Sequence, residues 1–214
     1  MLTRLNKAKT GPIIIITLLF CLLTSTYSQS SLESIEQFRQ EYIQAFLEDE
    51  YAPLDSNSIS YLRFFPADTS YITLASFERT PEAIPFDMPT SSGMVKPYVC
   101  YGKIRFQLND TILNALVYQS LRLAETEEYE NYLLFPFNDF TNNLTSYGGG
   151  RYIDLSIEDI KNGTIIIDFN RAYNPYCAYS DGYNCPVPPS ENYLPTYIEA
   201  GEKMYEGPRL ERTH

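Results

Sequence analysis

Lys103-Ile104-Arg105-Phe106-Gln107-Leu108-Asn109-Asp110-Thr111-Ile112-Leu113-Asn114-Ala115-Leu116-Val117 sets the fold class of this chain. Ile104, Phe106 and Leu108 alternate with Lys103, Arg105 and Gln107, the two-residue period of a strand with one buried face. Asn109-Asp110 is a two-residue turn signal, so residues 111–119 are expected to return as the second strand of a hairpin. Upstream, residues 59–65 and 71–77 are rich in rings and β-branched side chains around the turn Pro66-Ala67-Asp68 and read as two strands. Residues 80–97 hold Pro81, Pro85, Pro89 and Pro97 and read as a long ordered loop. Downstream, strands are expected over residues 132–137 (stopped by Pro136 and a loop over 138–143), 151–155, 164–170 (entered through Asn162-Gly163) and 194–200. Residues 30–50 carry a helical pattern, with Ser30 and Glu33 as a capping box and Ile35, Phe38, Tyr42, Ala45 and Phe46 three or four apart. The expected fold is mainly β: a single-domain antiparallel sandwich or half-open barrel with one N-terminal α-helix.

The first 28 residues read as a signal peptide. Arg4, Lys7 and Lys9 form a basic start, residues 13–23 an apolar run, and Thr26-Tyr27-Ser28 a small-residue cleavage site, leaving residues 29–214 as the single domain. The apolar run falls short of the roughly 20 residues a membrane helix needs, so no integral span is expected after cleavage. The protein is therefore expected to be exported, to the periplasm or the exterior. The chain has 27 acidic and 16 basic residues, a net charge of −11, and the leader removes only basic ones. A surface this negative repels phosphate backbones, so nucleic acid is not an expected partner.

The only histidine is His214, at the very end. That excludes Ser-His-Asp and Cys-His catalysis and leaves no basis for a histidine-ligated metal centre. Cys177 and Cys185 lie close enough in sequence for a disulfide in an oxidising compartment, with a thiolate metal site as the rival. Cys100, in Tyr98-Val99-Cys100-Tyr101, reads as a buried strand thiol.

Chemistry concentrates between Gly148 and Glu202. The run Thr164-Ile165-Ile166-Ile167-Asp168-Phe169-Asn170 reads as a strand buried on both faces, with Asp168 and Asn170 leaving its tip on one side. A carboxylate there needs a partner, for which Arg151 and Arg171 are the candidates. Gly148-Gly149-Gly150 is not a phosphate loop, since no Lys-Ser/Thr follows. Asn170, Asn174, Asp181, Glu191 and Asn192 offer hard oxygens that suit calcium, but their spacing fits no EF-hand loop, so no cofactor is expected. Tyr173, Tyr176, Tyr179 and Tyr183 have faces suited to sugar rings, or to covering a core.

Tyr147-Gly-Gly-Gly-Arg151-Tyr152, Asp168-Phe-Asn-Arg-Ala-Tyr-Asn-Pro175, Cys177, Cys185-Pro186, Pro188-Pro189, Glu191-Asn192 and Ala200-Gly201-Glu202 together form a signature. With Tyr61-Leu-Arg-Phe-Phe-Pro66, Phe77-Glu-Arg-Thr80, Met88-Pro-Thr-Ser-Ser-Gly93 and Leu134-Phe-Pro-Phe137, it resembles a bacterial family catalogued as domain of unknown function sixteen-eighty-four. The leader resembles those of exported Bacteroidetes members. The resemblance implies one domain and supplies no activity. On the residues themselves, the expected function is a secreted domain binding a small polar ligand or saccharide. Its site is expected from Arg151, Asp168, Asn170, Arg171, Tyr173, Asn174, Glu191 and Asn192. The alternatives are a glycoside-type hydrolase with Asp168 and Glu191 as its acid–base pair, and a cell-envelope interaction module.

Overall fold

The computed structural model describes the backbone of residues 11–210 and the side chains of residue 29 and residues 31–210. The basic start of the leader and His214 lie outside the described residues. Helix α1 (Gly11–Glu48) is the one α-helix among them. The strands are β1 (Ile72–Arg79), β2 (Phe86–Pro89), β3 (Val95–Leu108), β4 (Thr111–Ser120), β5 (Tyr132–Asp139), β6 (Arg151–Ser156), β7 (Thr164–Asp168) and β8 (Tyr193–Leu194). They form one sheet in the order β6-β5-β4-β3-β1-β7, with β2 added to β3 and β8 to β5. All pairings are antiparallel except the short parallel β5–β8 contact. The sheet curls into a half-barrel.

The central hairpin forms where the alternation puts it. β3 and β4 pair from Leu108↔Thr111 to Tyr98↔Ser120, and Asn109 adopts the positive φ of 53° that a tight turn requires. Alternation then sorts the side chains into two cores. Ile104 and Phe106 of β3, Leu113, Ala115 and Val117 of β4, and Leu133, Phe135 and Phe137 of β5 fill the interior of the curl, with Ile153 of β6 and Ile165 and Ile167 of β7. The opposite face carries Met88, Tyr98, Tyr118, Leu134 and Tyr152. A third cluster, with Phe46, Leu54, Leu62 and Tyr179, joins α1 to the C-terminal segment.

Several expected elements differ, each for a physical reason. The helix does not begin at Ser30: no Gly or Pro interrupts residues 13–52, so one helix runs from Gly11, with Pro12 tolerated in its first turn, and ends ahead of Pro53. No helix among the described residues is long and apolar enough to cross a membrane. Residues 59–65 form no strand. Asp55 Oδ1 accepts the amides of Asn57 and Ser58 and starts a 3-10 turn over Ser58–Tyr61, after which Phe64 makes only a bridge to Glu202. Part of the expected proline loop is strand, because β2 pairs only with β3 and an edge strand accommodates a terminal Pro89. β5 continues through Pro136 to Asp139, paired with β6 on one side. β7 is buried on one face only: as the last strand of the sheet it leaves Ile166 59% exposed. Beyond Leu194 the chain is irregular although Ile198 and Ala200 are fully buried, because their carbonyls are taken by a side chain, Arg151, instead of a neighbouring strand.

Candidate functional site

β6 carries the residue that defines the main cleft. Ile153 and Leu155 point into the half-barrel, so Tyr152 and Asp154 must point out of the opposite face. Backbone hydrogen bonds between Tyr152 and Tyr173, at 2.9 and 3.0 Å, then draw the segment after β7 across this face. The result is a cleft of about 440 Å³. Tyr152 and Tyr173 line one part of it, Phe38, Tyr42 and Phe46 of α1 another, and Tyr176, Tyr183 and Pro186 its rim. Its rings lock one another: Tyr173 lies 5.8 Å from Tyr152 in a T-shaped contact and 5.7 Å from Tyr42.

Two charged groups line this otherwise aromatic space, Asp154 and Lys96. The phenols of Tyr132 and Tyr173 donate to Oδ1 of Asp154 at 2.7 and 2.6 Å, and nothing among the described residues donates to Oδ2. Asp154 is exposed because cleft solvent reaches it, while protein surrounds it in most other directions. Loss of hydration raises its pKa above the ordinary value, and the two phenols oppose that rise without cancelling it. Lys96, near the start of β3, is half-buried. Burial first, and the like charge of Arg122 second, lower its pKa. No carboxylate among the described residues pairs with it.

The residues expected to form the site are dispersed. Of the eight, Tyr173 alone lines this cleft. Arg151 has no exposed surface and works inside the half-barrel. It pairs with Asp139 at 2.7 Å and donates to the carbonyls of Ala200 and Ile198 at 2.5 and 2.8 Å. Asp168 caps the turn Phe169–Arg171 by accepting the Asn170 amide, and its ionic partner is Arg171, at 3.6 Å, not Arg151. Asp168 and Arg171 line an adjoining hollow of about 390 Å³, beside Ser34 of α1 and Ile166 of β7, and Asp154 lines both spaces. Asn170 is buried and pins the loop at Asp68 through both its N–H and its carbonyl. Asn192, also buried, acts as a missing strand partner for Leu116 and donates to the Pro136 carbonyl. Glu191 faces a third hollow, near Lys103 and Arg105. Asp168 and Glu191 therefore do not share a cleft, and the acid–base pair of the hydrolase alternative is not assembled.

Asn174 belongs to a buried cluster under the cleft. Its backbone amide donates to Glu202 Oε2 at 2.9 Å, and its side chain donates to the Lys203 carbonyl. Tyr42 and Tyr179 donate to the same carboxylate at 3.1 and 2.7 Å, so Glu202 ties α1, the wall of the cleft, to the C-terminal segment. Burial raises the Glu202 pKa to about 7 against these hydrogen bonds. Gly201 makes this placement possible. It sits at φ +76°, and a Cβ there would meet the Phe169 and Ala172 carbonyls at 2.7 and 2.5 Å.

Cys177 and Cys185 form a disulfide with Cα atoms 6.3 Å apart, closing the short loop that carries Tyr183 to the cleft rim. Cys100 is a half-buried free thiol beside the β-bulge at Gly102. Reduction of the bridge is expected to lower stability by roughly 2–3 kcal/mol, by the loop-entropy argument. Thermal unfolding with and without a reductant checks this, with Cys177→Ser/Cys185→Ser as the chemical control. An unchanged midpoint would show that the bridge constrains nothing.

Tyr152 and Asp154 were within reach of the sequence, while Lys96 lay in the expected loop over 80–97, whose end proved to be the start of β3. The expected strand over 151–155 already puts Tyr152 and Asp154 opposite Ile153 and Leu155, and a lone carboxylate on an apolar strand is a signal in itself. The loop crossing at Tyr152–Tyr173, which turns that position into a cleft, was not readable.

No curated protein matches the chain. Among solved structures, the chain is similar to the solution NMR structure of an uncharacterized protein of Haloarcula marismortui, at 28% identity and a TM-score of 0.65. The match covers 83% of this chain and 96% of that one. The model of the family described as "Protein of unknown function (DUF1684)" matches residues 58–203, a span that includes β1 to β8, Asp154 and the disulfide. The chain belongs to that family.

Proposed function

We propose that this protein is an exported binding domain, with a Bacteroidetes-type leader, that takes a small polar ligand or saccharide in the aromatic cleft between β6 and α1. One observation carries the reading: a ring-lined space of about 440 Å³ holds a carboxylate with one oxygen already fixed by two phenols and the other unengaged. Pockets of roughly 300–1,000 Å³, mostly apolar with a few placed polar groups, are the usual form of small-ligand sites. The rings supply flat stacking surfaces, and Asp154 Oδ2 supplies an acceptor for a hydroxyl or ammonium. The apolar run and small-residue cleavage site of the first 28 residues support export.

The test is a thermal-shift screen of the protein against a glycan and small-metabolite library, followed by calorimetry on the hits. Asp154→Asn and Tyr173→Ala are expected to weaken a true cleft ligand by about 10-fold or more, as loss of a charged hydrogen bond or of a stacking ring does. Their far-ultraviolet spectra should stay unchanged. Hits that bind both variants as tightly as the wild type would place the ligand elsewhere and remove this reading.

A further inference from the structure

Resting on that reading, we infer that the cleft is built for a zwitterion: a small molecule whose ammonium end lies among the rings against Asp154 and whose carboxylate or phosphate end lies on Lys96. Several charges of the chain near a hollow or in the core are answered by an ion pair within the protein. Arg151 has Asp139, Asp168 has Arg171, and Arg39 has Glu36. Asp154 and Lys96 have no such partner. They line the same cleft, no ion pair joins them, and Asp154 receives only phenol hydrogen bonds, while Lys96 feels the like charge of Arg122.

Two separated, opposite and unneutralised charges in one cavity are complementary to a ligand with the same separation of charge. Neither has a charged partner, and a dipolar guest supplies one to each at once. Burial pushes each group towards its neutral form, the strain such a guest would relieve. The aromatic lining suits the ammonium end, because ring faces attract cations, most of all ones that shed water readily, such as methylated ammonium. A neutral sugar would use Asp154 and leave Lys96 without a role. A simple anion would approach against the chain's net charge of −11, which a zwitterion of zero net charge does not feel at long range.

Titration calorimetry of the full chain decides between these. The probes are glycine betaine and phosphocholine, which carry both charges, choline, which has only the cation, acetate, which has only the anion, and a methyl glucoside, which has neither. The zwitterions are expected to bind about 10-fold or more tightly than choline, acetate or the glucoside, one added charge-assisted contact in a desolvated site. Lys96→Met is expected to reduce the zwitterions to the level of choline and to leave choline itself unchanged. Asp154→Asn should weaken both choline and the zwitterions. This crossed pattern separates charge recognition from general loosening of the fold, which would weaken every probe alike. Equal binding of choline and betaine by the wild type, or a betaine affinity that Lys96→Met does not change, overturns the inference. A glucoside or library hit that binds in the cleft while both zwitterions do not would overturn it and leave the cleft reading standing. Silence of every probe and of the wider library would end both.

Discussion

Arg151→Ala is expected to destabilise the domain by about 3–5 kcal/mol, the usual result of leaving one member of a buried ion pair uncompensated. The substitution strands the fully buried Asp139 carboxylate and releases the carbonyls of Ile198 and Ala200, which have no strand partner of their own. Against a total stability of roughly 5–15 kcal/mol for a domain, that loss is a large fraction of the whole. Urea denaturation followed by tyrosine fluorescence measures it. Arg151→Met combined with Asp139→Leu should recover part of the loss, because the stranded charge is gone even though the carbonyls remain unserved. A single variant within about 1 kcal/mol of wild type would mean that the guanidinium holds nothing together.

The second large effect is on pH dependence. Glu202 ionises at about 7 in the folded protein, against an ordinary value of 4.5, because it is fully buried. In that interval the folded chain holds a proton that the unfolded chain has released, so stability must fall as pH rises. The contribution is fully present below pH 4.5 and is lost by the time the pH has passed about 7. The loss amounts to roughly 3 kcal/mol at 1.36 kcal/mol per pH unit. Glu202→Gln keeps an acceptor for the Asn174 amide and cannot ionise, so its stability should lack this slope, and the difference between the two proteins isolates the one group. Parallel curves for wild type and variant would mean that the carboxylate is already charged inside the fold.

The sequence made the strands legible in the measure that their burial was one-sided. Ile104-Phe106-Leu108 and the turn at Asn109-Asp110 declared the hairpin outright, and residues 151–155 declared a strand, since these patterns need no partner to be seen. What failed was whatever depended on a neighbour. The ring-rich stretch at 59–65 has strand composition, but the local Asp55 carboxylate captured its backbone amides first. The triple isoleucine reads as a central strand, yet the topology puts β7 at the end of the sheet and leaves Ile166 in water. The candidate site failed for the same reason. Arg151, Asn170, Asn174 and Asn192 have the composition of a binding site, but the first three are spent on backbone groups of irregular segments and Asn192 on backbone groups of strands β4 and β5.

The sequence alone established a single β-rich domain, a helix near its start, a net negative charge, the absence of histidine chemistry and the proximity of Cys177 and Cys185. These follow from composition and from periods of two and four residues, which each segment carries within itself. Only the tertiary structure decided which polar residues face a cavity and which repair the backbone. Arg151 and Asp154 leave strand β6 on opposite faces by alternation, but only the curl of the sheet and the crossing of the Tyr173 segment make one face core and the other cleft.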